Sequence, residues 1–259
     1  MSYKEFEANM KELICQKLKE VEEKNNIKIL HAIESGSRAW GFASPDSDYD
    51  VRFVYIRPLE FYLKLEETKD FLDWELNEVL DINGWDLTKV LQQFHRSNAV
   101  LFEWANSPIV YKTTDEWKKI YEEAKQYFQL KPAMYHYFGT ARKNYKEYLT
   151  EEYVKYKKYF YVLRPILAYK WIKEKQCPPP VLFQELYDAV LETEMKPLIE
   201  DLKKKKMQMT EAEKGPAIPA INQWIEKNLS QMEKDLDSME RGEAKDWDTL
   251  NLIFKKLLL

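Results

Sequence analysis

Glycine is scarce: six in 259 residues. With so few positions free to take left-handed backbone angles, each one marks a place where the chain needs that freedom. Gly36, Gly41 and Gly84 all fall close to acidic residues. Cysteine is scarcer still. Cys15 and Cys177 are 162 positions apart and neither belongs to a C-x-x-C pair, which argues against a zinc ribbon or a thioredoxin-type redox site. Both are expected to be reduced, buried small hydrophobes. The three histidines, His31, His95 and His136, share no metal-ligand spacing and are expected to be structural. No run approaches the ~20 apolar residues that cross a bilayer, and the first twenty residues carry acids instead of an apolar signal segment. A cytoplasmic protein without a membrane partner is the expectation. The net charge of −4 argues against a polybasic wrapping of nucleic acid, while leaving room for a local basic groove.

What is present is a globular composition, 45% hydrophobic and 32% charged, with 14% aromatic residues. Phe6, Met10, Leu13, Ile14, Leu18 and Val21 recur at helical spacing and predict a helix over 5–23. Asn25-Asn26 predict a turn, and the run 27–33 a strand that ends at Ser35-Gly36-Ser37. "YDVRFVYI" predicts a second strand, with Val51, Phe53 and Tyr55 on one face. "RPLEFYLKL" predicts a short helix or turn, and the stretch 69–97 two strands followed by a helix, with Asp86 as its N-cap. From Asp115 onward the periods are helical, broken at "KP" (131), "CPPPV" (177) and "KGPAIP" (214). "KKKK" at 203–206 is expected on a solvated helix face. The class is therefore α+β: a mixed sheet with flanking helices over 1–112, then an α-helical domain over 113–259.

The chemistry concentrates in "SGSRAWGFASPDSDYDVRFVYI", residues 35–56. Asp48 and Asp50 flank Tyr49, and in a strand residues two apart point the same way. Two carboxylates on one spot repel, and a divalent cation resolves the conflict. Magnesium takes one or two carboxylates and fills its shell with water and phosphate oxygens. Gly36-Ser37, opening a helix, would offer backbone amides and a hydroxyl to a phosphate. Alone, each feature reads as an ordinary turn; together they describe a site for a magnesium-bound nucleotide.

"GSRAWGFASPDSDYD" resembles the G-S … D-x-D signature of the DNA polymerase beta nucleotidyltransferase superfamily. "GWDLTKVL" and "YKKYFYVLRPILAYKWI" resemble its YcgL-type branch, whose relatives accompany RNA ligases in bacterial RNA repair. The likeness runs from about 29 to about 183. It implies a polymerase-beta-like nucleotidyltransferase domain that moves an NMP from an NTP to an acceptor hydroxyl, with RNA ends as an expected acceptor. It implies Mg2+, as two ions, with Mn2+ as a substitute. It also implies a third carboxylate on a neighbouring strand. Asp81, in the apolar-flanked "VLDIN", is the choice, and Asp86 is the rival that helix capping already explains. Asp48, Asp50 and Asp81 are thus the expected catalytic and metal-binding set, with Gly36, Ser37 and Arg38 on the phosphates. Arg38 could instead pair with an acid of the site.

The helical half carries Arg142, Lys143, Lys157, Lys158, Arg164 and Lys170. By analogy Lys158 and Arg164 are expected to reach the β- and γ-phosphates. Tyr145, Tyr156, Tyr159 and Tyr161 are candidates to stack on a base, although aromatics at helical spacing are more often core. Competing expectations are a nucleotide- or RNA-binding module without turnover, a protein or small-molecule adenylyltransferase, and an interaction protein. The sequence leaves open the base, the acceptor and the oligomeric state.

Overall fold

The computed structural model describes residues 3–44, 47–77, 79–207, 213–240, 242–243 and 245–259. Pro45 and Asp46, part of the expected turn before Asp48, lie outside the described residues.

The first helix, α1 (Tyr3–Asn25), buries Ile14, Leu18 and Val21, spaced i, i+4, i+7 along one stripe. Phe6 and Leu13, expected on the buried stripe, remain exposed. Asn26 ends α1 in the left-handed region at φ 48°, where an asparagine is tolerated, and the chain turns into β1 (Lys28–Glu34). The four-residue α2 (Gly36–Ala39) leads through the loop to β2 (Tyr49–Ile56). Then come α3 (Leu59–Tyr62), β3 (Phe71–Leu76), β4 (Leu80–Asp86), α4 (Leu87–His95), α5 (Ala99–Ala105) and β5 (Val110–Thr113).

The five strands form one mixed sheet in the order β3-β4-β2-β1-β5, in which only the β2–β4 pair is parallel. β2 is central and covered on both faces. Val51, Phe53 and Tyr55 pack with the α1 stripe. Val54 and Ile56, on the other face, pack with Leu87, Val90 and Phe94 of α4 and with Leu101 and Phe102 of α5. The side-chain period of two means that Asp50 and Arg52 belong to this second face, at the end of the strand that its apolar cover does not reach. β4 repeats the pattern: Leu80 and Ile82 face α1, whereas Asp81 and Asn83 share the face of Trp85, which packs in the second core.

The rest is helical. It comprises α6 (Asp115–Ala124), α7 (Leu130–Tyr148), α8 (Tyr156–Lys175), α9 (Phe183–Val190), α10 (Lys196–Met207), α11 (Pro219–Ser238) and α12 (Asp248–Leu258). A two-stranded ribbon, β6 (Tyr153–Val154) with β7 (Gly215–Pro216), ties the segments before α8 and α11 together. Helices α7 to α11 share a separate core built around Tyr159, Leu163, Ile166 and Leu167 of α8. Packing does not follow the expected 112/113 boundary strictly. Trp117 and Ile120 of α6, and Leu250 of α12, are buried in the sheet's second core. The prolines expected to break helices stand at their starts in two cases: Pro132 lies in the first turn of α7, and Pro219 opens α11. The lysine run is less solvated than expected: Lys203 pairs with Glu200, and Lys206 donates to the Phe42 carbonyl at 2.5 Å. Among the described residues no helix is long and apolar enough to cross a membrane.

Candidate active site

Three segments converge at the N-terminal end of β2: the segment between β1 and α2, the strand itself, and the start of β4. Asp50 and Asp81 are direct register partners across the parallel β2–β4 pair. Both point to the same face of the sheet. Asp48 immediately precedes β2 and is exposed. Its charge and that of Asp81 both act on Asp50, whose carboxyl is pushed above its ordinary value first by burial and then by these two acids, against the pull of Arg52.

Gly36 completes the corner. Its φ is +61°, and a Cβ there would lie 2.1 Å from Asp50 Oδ2. Only glycine satisfies both the backbone angle and the close approach. The Ser35 N–H donates to the Asp50 carbonyl at 2.8 Å, which fixes the turn against β2. Ser37, half-buried, follows in α2.

Arg38 is buried and engaged inside the protein. Its Nε donates to the Asp48 carbonyl at 3.1 Å and its Nη2 to the Ser47 carbonyl at 2.7 Å. Its guanidinium lies 3.7 Å from the centre of the Tyr49 ring. It shapes the Ser47-Asp48 segment. Of the two alternatives for Arg38, an acid contact is present, but to Glu7 of α1 at 3.6 Å and not to the aspartates.

Register places Asp81, and not Asp86, beside Asp50. Asp86 pairs with Tyr55, at the far end of β2. Five residues at ~3.3 Å rise put it roughly 16 Å from Asp81. There it caps α4, accepting from the Thr88 backbone N–H at 2.9 Å and hydroxyl at 2.7 Å, and it also accepts from the Tyr62 hydroxyl at 3.1 Å.

Arg164 is engaged inside the protein. It is 2% exposed and pairs with the half-buried Glu103 of α5 at 2.9 Å. Its Nε donates to the Val181 carbonyl at 3.1 Å, and its guanidinium lies 4.7 Å from the Trp40 ring. This is an internal link between α8, α5 and the residue that ends α2. These contacts are internal to the protein, where the expectation is a reach to a phosphate. Lys158 is half-buried, with its ammonium 3.9 Å from the Tyr148 ring and 4.8 Å from the Tyr161 ring. Of the four tyrosines, Tyr156 and Tyr159 are core residues. The Tyr159 hydroxyl donates to Asn222 and accepts from the Ile218 N–H. Tyr145 hydrogen-bonds Glu226, and Tyr161 meets Trp40 edge-on at 5.6 Å.

Two residues that the sequence reading passed over belong to the site. Arg52, two residues beyond Asp50 on the same face, contacts Asp81 Oδ2 at 2.7 Å and Asp50 Oδ1 at 3.4 Å. Its signal was the continued alternation in "DYDVR". Glu34 is buried at the end of β1. It accepts the Asp50 N–H at 2.7 Å and the Tyr111 hydroxyl at 2.6 Å. Burial pushes its carboxyl up to about 7, even though both hydrogen bonds oppose the shift. A buried acid one residue before the serine-glycine turn carries no periodic signal.

Among the described residues, no three acids, histidines or cysteines are gathered into a ready metal cage. The donor set fits the looser demand of magnesium: two carboxylates, Asp48 and Asp50, at a rim open to water and phosphate. Burial and neighbouring negative charge leave Asp50 in need of a cation, and the guanidinium already drawn to it shows the same preference.

The model of a family described as the RNA repair pathway DNA polymerase beta family matches residues 10–256. The uncharacterized protein YcgL of Bacillus subtilis (strain 168) is 40% identical over 254 residues, spanning 96% of this chain and 95% of that protein. A solved nucleotidyltransferase-like protein from Exiguobacterium sibiricum 255-15 aligns over 87% of this chain and 75% of that one, at 14% identity and a TM-score of 0.30. The family match covers the glycine-serine turn, the acids and the helical half alike: the chain belongs to the RNA repair pathway DNA polymerase beta family.

Proposed function

We propose that the protein is a magnesium-dependent nucleotidyltransferase that moves an NMP from an NTP to the hydroxyl of an RNA end and releases pyrophosphate. The family supports nucleotidyl transfer, and its RNA-repair description favours RNA as the acceptor. The observation that carries the reading is the register of Asp50 with Asp81 on adjacent parallel strands, at the corner where Gly36 abuts the Asp50 carboxylate.

Asp48 and Asp50 would hold Mg2+, or Mn2+ in its place. The ion, when bound, neutralises charge on the triphosphate and on the departing pyrophosphate. Gly36 and Ser37 present backbone and hydroxyl to the phosphates from the adjoining turn. The acceptor oxygen attacks the α-phosphorus as the bond to the bridging oxygen breaks, and its proton passes to Asp81 or to water. Most of the rate enhancement comes from positioning and charge neutralisation.

The test is incubation with α-labelled NTPs, RNA and Mg2+. Label should pass to RNA, with pyrophosphate released in equal amount. Asp50→Asn should abolish transfer while thermal unfolding stays within a few degrees of wild type. Transfer that survives in an Asp48→Asn/Asp50→Asn double variant would sink the proposal. Label appearing on protein, and none on RNA, would redirect it to a protein acceptor.

A further inference from the structure

Arg52 is held at both ends of its guanidinium. Nη2 bridges the two register-paired carboxylates, at 2.7 Å to Asp81 and 3.4 Å to Asp50. Nη1 donates to the backbone carbonyls of Asp81, at 3.1 Å, and Val51, at 3.0 Å. Carbonyls are permanent acceptors, so the fork is fixed to the sheet itself and does not depend on the acids. An arginine keeps its charge at any working pH. The cluster therefore contains a built-in cation at the point where two of its three carboxylates meet.

Charge arithmetic shows the consequence. Asp48, Asp50 and Asp81 sum to −3, and Arg52 brings the total to −2, which one divalent ion cancels. Asp81 Oδ2 is already occupied, at a distance typical of a strong charge-assisted hydrogen bond. The absence of a three-acid cage among the described residues agrees with this.

We propose that Arg52 is the resident cation of this site: it holds Asp81 off the metal, so that Asp48 and Asp50 alone bind one divalent ion. This rests on reading the site as metal-dependent, and it goes further by replacing the second ion expected from the sequence with a side chain. Arg52 is then a positioning residue for Asp81.

The test uses the full-length chain, Mn2+ alone and the electron paramagnetic resonance signal of unbound Mn2+, with no nucleotide and no turnover. Wild type should bind one Mn2+ per chain. Arg52→Gln should bind it about tenfold more tightly or take up a second ion, because attraction to a freed charge a few ångströms away is strong. Asp81→Asn should still bind one ion, about tenfold more weakly because the Arg52 charge is left uncompensated a few ångströms away, yet far short of the loss in Asp50→Asn, since Asp81 is not a ligand. In Arg52→Gln/Asp81→Asn the gain should vanish, because the gain is the freed Asp81 carboxylate. Arg52→Lys, which keeps the charge, should resemble wild type. The proposal is overturned if Arg52→Gln binds Mn2+ no more tightly, if its gain survives Asp81→Asn, or if Asp81→Asn loses the ion as Asp50→Asn does. Failure of the underlying metal reading looks different: Asp50→Asn would then bind Mn2+ as wild type does. Metal-free unfolding of each variant separates a lost site from a lost fold.

Discussion

Glu34 Oε1 accepts the backbone N–H of Asp50 at 2.7 Å, so a buried carboxylate on β1 anchors the strand that carries the acids. Its other oxygen is held by the Tyr111 hydroxyl of β5 at 2.6 Å. Glu34 thereby links three adjacent strands at the edge of the site. Burial raises its carboxyl to about 7, close to the working pH of most cells.

Stability should consequently fall as pH rises from about 5 to about 8. Unfolded, Glu34 releases its proton near its ordinary value of 4.5; folded, it keeps it to about 7. Between those values the native state binds more protons, and stability drops with increasing pH. Asp50, also raised, contributes a slope of the same sign beginning above its ordinary value of 3.8. The Glu34 share is on the order of 3 kcal/mol. Glu34→Gln keeps an oxygen for the Asp50 N–H and removes the titration, so urea unfolding at pH 5, 6, 7 and 8 should give a flatter profile. An unchanged slope in the variant would contradict this.

The sheet was legible because its signals are local. The apolar face of Val51, Phe53 and Tyr55 on β2, the turn at Asn26 and Asp86 as a cap each follow from a few neighbouring residues and are found in the fold, with Asn25 still the last residue of α1. Pairing partners were not legible. The neighbours of Asp81 and Asp86 favour a strand acid and a helix cap respectively, but which strand Asp81 lies beside is fixed by the parallel register with β2. Glu34 and Tyr111 meet across 77 positions, and Glu103 and Arg164 across 61. The phosphate role expected of Arg164 rests on analogy, not on its surroundings in the sequence. The all-round apolar character of α8, with Val162, Leu163, Pro165 and Ile166 flanking it, instead marks a buried helix. The return of α12 to the sheet is another long-range choice, made by the fit of Leu250 into the second core.

Gly36→Ala should be costly beyond the usual glycine effect. A φ of +61° strains an L residue, and the added carbon would fall 2.1 Å from Asp50 Oδ2. The backbone strain alone costs about 1 kcal/mol or more. Moving the Asp50 carboxylate to relieve the clash should remove transfer as well. Gly139 is the control: it lies inside α7 with nothing within 4 Å of its would-be Cβ, so Gly139→Ala should stabilise by about 0.5–1 kcal/mol. Thermal unfolding of both variants checks the opposite signs.

Substituting Arg164 should report on stability and not on nucleotide affinity. Arg164→Met leaves the half-buried Glu103 without its ion pair, at a cost approaching the about 3–5 kcal/mol of a fully buried pair. Arg164→Met/Glu103→Gln, which removes both charges, should recover a good part of that loss. Where the variants still fold, the KM for the NTP should stay close to that of wild type. A large rise in KM with stability unchanged would instead put Arg164 on the phosphates.

Asp86 and Asp81 should separate by the kind of loss they cause. Asp86 is 1% exposed and receives bonds from Thr88 and Tyr62, so Asp86→Ala takes away a cap and strands buried donors. The cap alone is worth about 0.5–2 kcal/mol, and an unsatisfied buried donor adds about 1–3 kcal/mol. Because Asp86 lies at the opposite end of β4, the fraction that remains folded should transfer nucleotide at the wild-type rate. Asp81→Asn keeps side-chain size and an oxygen for Arg52, so its stability should change little while its rate of transfer falls. Measuring kcat against the folded fraction, from circular dichroism in the assay buffer, distinguishes the two; equal loss of kcat per folded molecule in both variants would mean that the register-based choice of Asp81 is mistaken.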